Sequence, residues 1–235
     1  MPNRIKDIYA FIAALALLLV VFASPEADAS DVVMGSESTV VASNETPPDE
    51  WRFRVFLDDK EIGYHHFYLD DKGDHSQLRT EANFEYRLLF VTLFRYEHEN
   101  LETWSGDCLK SVRSRTDSNG DQYTVNGLRF EEGFKVMGSE GDADLPRCVM
   151  SFAYWNPAFL EQSRLLNTQN GRFLDVEISP PAREPLEVRG EVVPSLRYRL
   201  KAEDLQLNLW YSEEQKWLAL ESELDGGRML RYEPI

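Results

Sequence analysis

Basic residues are scarce in this chain of 235: 25 Lys and Arg stand against 41 Asp and Glu, a formal charge of −16. A nucleic-acid backbone is held by an excess of cations that release its counterions, so the shortage excludes that class of partner. The same shortage sets the protein against an anionic membrane surface. Cysteine is nearly absent, with only Cys108 and Cys148. There is no phosphate-binding glycine loop, no G-x-S-x-G elbow and no H-E-x-x-H pair, which weakens an enzymatic reading. Nor does any apolar run reach the roughly 20 residues of a membrane-spanning helix. What remains is an ordinary globular composition, 43% hydrophobic and 28% charged, which excludes a disordered or multi-spanning chain.

The first segment reads as an address. Arg4 and Lys6 form a short basic region, Ile8 to Ala23 is the apolar stretch, and Ala27-Asp28-Ala29 supplies the small-x-small pattern of signal-peptide cleavage. Cleavage is expected near Ala29, with Ser30 as the first mature residue and the periplasm or the medium as destination; an uncleaved anchor is the alternative. After processing no transmembrane span is left. Residues 30–49 mix Ser, Val, Thr and Glu, close on Pro47-Pro48, and read as a flexible tether. Residues 50–235 then form one β-rich domain.

In that domain the hydrophobic period is two. Trp51, Phe53, Val55 and Leu57 alternate with Arg52 and Arg54, as in a strand with one buried and one wet face. Ile62 to Leu69 pairs back after Asp58-Asp59-Lys60-Glu61. Leu78 to Tyr86, Tyr96 to Trp104 and Cys108 to Thr116 continue the series. Asn119-Gly120 marks a hairpin, and short strands follow at Tyr123–Val125, Leu128–Phe130 and Phe134–Met137. A single short helix is expected over about 156–167, capped by Asn156, with Pro157 in its first turn and Phe159, Leu165 and Leu166 on one side. Strands resume after Pro180-Pro181. About ten strands at this spacing point to a mainly β fold, a sandwich or a barrel, and the lack of long helices between them argues against a parallel sheet.

Cys108 and Cys148 read as a disulfide in an oxidising compartment. The competing readings are free thiols, or a cysteine nucleophile with His98 as base and Asp107 as its orienting group. His65 and His66 are adjacent on a strand and point to opposite faces, which prevents a shared metal. Asp117, Asn119 and Asp121 imitate the start of a calcium loop, but Gly120 and Leu128 stand where that loop needs other residues, so a turn is expected. Glu97 and Glu99 share a face opposite His98 and read as a solvated strand face. No catalytic residue, metal or cofactor is assigned.

Leu88-Leu89-Phe90-Val91-Thr92-Leu93-Phe94 breaks the alternation, because both of its faces are apolar and each calls for a cover other than water. Internal packing is one reading. The other is an apolar pocket in which Phe90 and Phe94 face Tyr154, Trp155 and Phe159; Leu93 would point away.

The chain resembles an uncharacterised family of exported bacterial all-β proteins, a domain of unknown function. The likeness rests on Phe53-Arg54-Val55-Phe56-Leu57-Asp58 with Ile62-Gly63, on Trp104 before Gly106, and on Thr116-Asp117 with Asn119-Gly120. It extends through the stretch Ser151 to Asn156 and the closing segments LWYS, WLALES and GGRMLRYE. The resemblance implies an antiparallel curled sheet or partly open barrel and supplies no activity. A more distant architectural likeness is to the LolA and LolB type of periplasmic lipoprotein carrier. The expectation is therefore a non-enzymatic exported module that binds an apolar small molecule or an envelope protein, with a hydrolase using His98, Asp107 and a cysteine as the alternative.

Overall fold

The computed structural model of the protein describes residues 49–224 and 226–235. The expected signal peptide and nearly all of the tether lie outside the described residues. Asp49 and Glu50 already belong to the first strand.

The chain is mainly β. The described residues open with eight consecutive strands: β1 (Asp49–Leu57), β2 (Lys60–Asp71), β3 (Ser76–Leu88), β4 (Val91–Ser105), β5 (Cys108–Ser118), β6 (Asp121–Arg129), β7 (Phe134–Gly138) and β8 (Gly141–Leu145). A segment with one 3-10 turn (Pro157–Glu161) leads to the short strands β9 (Arg164–Leu166), β10 (Phe173–Asp175), β11 (Glu177–Ile178), β12 (Ala182–Arg183), β13 (Leu186–Val188) and β14 (Glu191–Val193). The longer β15 (Leu196–Ala202), β16 (Leu205–Tyr211), β17 (Trp217–Leu224) and β18 (Arg228–Pro234) complete the fold. Fourteen of these strands form one antiparallel curled sheet in the order β11-β15-β16-β17-β18-β1-β2-β3-β4-β5-β6-β7-β8, with β12 also on β15. The sheet does not close into a barrel, since β8 and β11 are separate edges.

Alternation decides which face is inside. Phe53, Val55 and Leu57 of β1 are buried while Arg52 and Arg54 are exposed, and the same phase runs through β3, β4, β5 and β6. Residues 149–176 fill the curl. Val149, Met150, Ala153, Phe159, Leu165, Leu166, Leu174 and Val176 are all buried, and the segment is sewn to the sheet by backbone and side-chain bonds. Leu109 N donates to Val149 O at 2.9 Å, Tyr211 Oη to Tyr154 O at 2.7 Å, and Ser114 Oγ to Thr168 O. The disulfide joins Cys108 at the start of β5 to Cys148 at the entry of this segment, with Cα atoms 4.9 Å apart.

Four expectations are corrected. The helix over 156–167 is a 3-10 turn of five residues. Asn156 does cap it, accepting from Ala158 N at 3.0 Å, but Gln162 is extended and ends it. Leu165 and Leu166, both fully buried, belong to β9 and pair with Leu174 and Phe173. Strands number eighteen among the described residues rather than about ten, because short pieces such as β8 to β14 carry little hydrophobic pattern of their own. The segments Tyr123–Val125 and Leu128–Phe130 merge into β6, which ends at Arg129. Most consequentially, Leu88 to Val91 is not a strand covered on both faces. Leu88 pairs with Val91, so Leu89 and Phe90 form a hairpin tip, with Leu89 at φ 55°, 87% exposed, and Phe90 fully exposed.

Candidate binding site

The inner face of the sheet carries an unexpected row of polar side chains. Register places them side by side: His65 of β2 faces Ala82 of β3, which faces His98 of β4, which faces Thr116 of β5. One row along, Phe67, Thr80, Asn100 and Ser114 are aligned in the same way. Beyond them Leu78 faces Glu102. Thr80, His98, Asn100, Glu102, Ser114, Thr116, Ser151 and Ser222 are all buried, so each polar atom needs a partner or costs about 1–3 kcal/mol in lost hydration.

Most of the row is satisfied, and the pattern fixes proton positions. Thr116 Oγ1 donates its single hydroxyl proton to Gln169 O at 3.2 Å, so the 2.9 Å contact between His98 Nδ1 and Thr116 Oγ1 has the imidazole as donor. Nε2 of His98 is then an acceptor. Burial holds His98 well below its ordinary pKa, at about 4. His65 is also held well below its ordinary value, by desolvation first and then by the nearby His98 and His66, so both rings are neutral. Part of the His65 surface stays accessible while its Nε2 is enclosed; its Nδ1 lies 3.1 Å from Tyr232 Oη. Glu102 accepts from Asn100 Nδ2 at 3.0 Å, from Trp104 Nε1 at 2.9 Å and from Ser151. Desolvation nevertheless raises the Glu102 pKa above the usual carboxylate value.

Three atoms along this wall have no partner: Thr80 Oγ1, Asn100 Oδ1 and His65 Nε2. Their side chains line a cavity of about 150 Å³ between the sheet and residues 151–154 and 167–169. A second cavity of about 130 Å³ adjoins it, lined by Leu57, Ile62, Phe84, Phe94 and Tyr96. His65, Gln169, Leu224, Leu230 and Tyr232 line both. The interior thus offers a compartment with a row of polar groups on one wall beside a compartment that is almost wholly apolar.

Of the five aromatic residues singled out in sequence, Phe94 lines the apolar cavity and Tyr154 the polar one. Phe159 is buried against Tyr154, with ring centroids 5.7 Å apart; Trp155 packs edge-on to Trp104 at 5.5 Å. Neither lines these cavities, and Phe90 stands outside them at the hairpin tip. A β-bulge between Tyr86 and Arg87 shifts the pairing, so that Tyr86 faces Phe94 and Arg87 faces Thr92. Leu93 is the residue passed over.

The hydrolase constellation is not brought together. His98 lies inside on Thr116, Asp107 is exposed at the β4–β5 turn holding Asn156 Nδ2 at 3.0 Å, and Cys108 is in the disulfide. His98 and the end of β4 are separated by about 20 Å of extended strand. Asp117 and Asn119 serve the β5–β6 turn: Asp117 Oδ1 accepts from Gly120 N and Asn119 Oδ1 from Arg95 N, both at 2.8 Å.

His65, Asn100, Glu102 and Ser151 were missed as interior residues. The available signal was phase: on β4, His98, Asn100 and Glu102 alternate in step with Tyr96 and Trp104, two aromatics that bracket them on the inner face.

A family model described as "Domain of unknown function (DUF6134)" matches residues 53–235. The chain belongs to this family. No curated protein matches the DUF6134 chain. Among solved structures it is similar to a β-barrel-like protein of a domain of unknown function, DUF1849, from Brucella abortus, with a TM-score of 0.58 and 9% identity. That match covers 81% of this chain and 97% of the other. At such low identity the likeness shows the fold alone.

Proposed function

We propose that this protein is an exported, non-enzymatic binding module that encloses one small molecule within the curl of its sheet. The observation that carries the reading is the pair of adjoining cavities, one walled by Leu57, Ile62, Phe84 and Phe94, the other by His65, Thr80, His98 and Asn100. A buried wall with three unpartnered polar atoms is costly for a purely structural core, whereas a bound molecule would satisfy it. Each cavity is below the roughly 300 Å³ at which pockets for drug-sized ligands begin, so the ligand is small. Export to an oxidising compartment is supported by the leader-like segment and by the disulfide.

The test is mass spectrometry of the natively purified protein, intact and after solvent extraction. A small molecule recovered at near one per chain supports the reading. Protein that carries only water, and that gains no thermal stability from any small amphiphile, overturns it. Amino-terminal sequencing of the same material reads the export step, with Ser30 as the expected first residue.

A further inference from the structure

We infer that the ligand is a small uncharged alcohol, with its hydroxyl in the polar cavity and its hydrocarbon part in the apolar one. This rests on the binding reading above and names the chemistry of its head.

Thr80 and Asn100 face each other across β3 and β4, which brings their side chains within about 5 Å at Cβ. They are 3% and 6% exposed, and Thr80 Oγ1 and Asn100 Oδ1 are both unpartnered. Asn100 Oδ1 can only accept, and the bond from Nδ2 to Glu102 fixes which end of the amide faces the cavity. His98 Nε2 also accepts, since Nδ1 carries the proton given to Thr116. Asn100 Oδ1 and His98 Nε2 therefore ask the ligand for a proton donor, while the Thr80 hydroxyl, and His65 Nε2 in the tautomer whose Nδ1 accepts from Tyr232, call for an acceptor. A carboxylate, an ether or a ketone can accept from Thr80 but has no proton to give, and so leaves Asn100 Oδ1 and His98 Nε2 unpaired. A hydroxyl donates to one of them while its oxygen accepts from Thr80.

A cationic amine also donates, but burying it calls for a free countercharge. Glu102 is the carboxylate lining this cavity, and it already accepts from Asn100, Trp104 and Ser151. Beyond the head, Leu57, Ile62, Phe84 and Phe94 offer hydrocarbon contacts with no further polar demand.

The experiment uses protein refolded from urea with its disulfide intact, so that no carried-over molecule fills the interior. Binding of 1-hexanol is compared by calorimetry and thermal shift with its isomer 1-methoxypentane, which has the same atoms but no O–H, and with hexanoate and hexylamine. The expected order is 1-hexanol tighter than the ether by about tenfold, the difference made by leaving buried acceptors unpaired, with the two ions weaker than both. Thr80→Val keeps the side-chain shape and should reduce hexanol affinity several-fold and ether affinity alike, since either oxygen accepts from the Thr80 hydroxyl, leaving the alcohol-over-ether preference in place. Because the hydroxyl it removes has no protein partner, this variant should fold as stably as the parent. Equal binding of alcohol and ether, or preference for either ion, overturns the alcohol head and leaves the binding reading standing. Binding of none of the four overturns both.

Discussion

Trp104 donates its indole N–H to the enclosed carboxylate of Glu102 at 2.9 Å, while Asn100 donates to the other oxygen at 3.0 Å. The carboxylate is therefore a hub for neighbours that have nowhere else to turn. Glu102→Leu should cost about 3 kcal/mol in urea unfolding, since it strands the buried donors of Asn100, Trp104 and Ser151, whereas Glu102→Gln should cost about 1 kcal/mol. A Leu variant as stable as the parent would show that the hub is dispensable.

Stability should fall as the pH falls from about 6.5 to about 4. Over that range the unfolded chain takes up a proton at His98 that the folded protein refuses, its folded value being about 4 against an ordinary 6.5. The full effect is about 3 kcal/mol. His65 acts in the same direction, its pKa also being lowered. Glu102, raised in the folded state, binds its proton at a higher pH than the unfolded chain does and opposes the trend above the ordinary carboxylate value. Urea midpoints measured across this range should show the slope, and His98→Gln should flatten it.

Reduction of the Cys108–Cys148 bond opens a loop spanning 40 residues. In the chain-entropy account that costs about 4 kcal/mol. A Cys108→Ser, Cys148→Ser double variant should show a loss of that order in chemical denaturation, and a loss below about 1 kcal/mol would mean that the sheet alone holds the segment.

Two positions on the sheet should respond in opposite ways to a change of backbone freedom. Gly63 has φ 150° and lies beside the bulge at Val55/Phe56, and a Cβ there would overlap the Asn83 carbonyl oxygen. Gly63→Ala should therefore destabilise by about 3 kcal/mol. Leu89 sits at φ 55°, where a leucine is strained by about 1–2 kcal/mol. Leu89→Gly should raise stability by about 1 kcal/mol, and Phe90→Ser beside it should change stability by less than about 0.5 kcal/mol. Thermal melts of the three variants check the signs.

The long strands were legible because a one-sided sheet writes itself as alternation, as in Trp51 to Leu57, and because Asn119-Gly120 is a turn with a backbone reason. The short β9 and β10 were not, since Leu165 and Leu166 sit on both faces of a buried strand and look equally like one side of a helix. Leu88 to Val91 misled for a different reason: composition suggests burial, but a two-residue loop between paired strands leaves Leu89 and Phe90 nothing to pack on. The cavity was invisible because its polar members come from β2, β3, β4 and the 149–176 segment, and only register aligns them. Glu102 looks like a solvated residue until Tyr96 and Trp104 are seen to share its phase.

The pairing of β18 with β1 carries a kinetic consequence. Arg228 binds Asp58 across 170 residues of chain, and Met229 and Phe53 are likewise tied into neighbouring ladders made by strands from opposite ends of the described chain. The central seam of the sheet is thus its least local contact, and it forms only once β18 has emerged from whatever makes or moves the chain. Hairpins β1 to β8 are free to assemble early, but the interior cannot be sealed until that late arrival. High contact order of this kind predicts folding on a scale of milliseconds to seconds, with the docking of the last strand setting the pace.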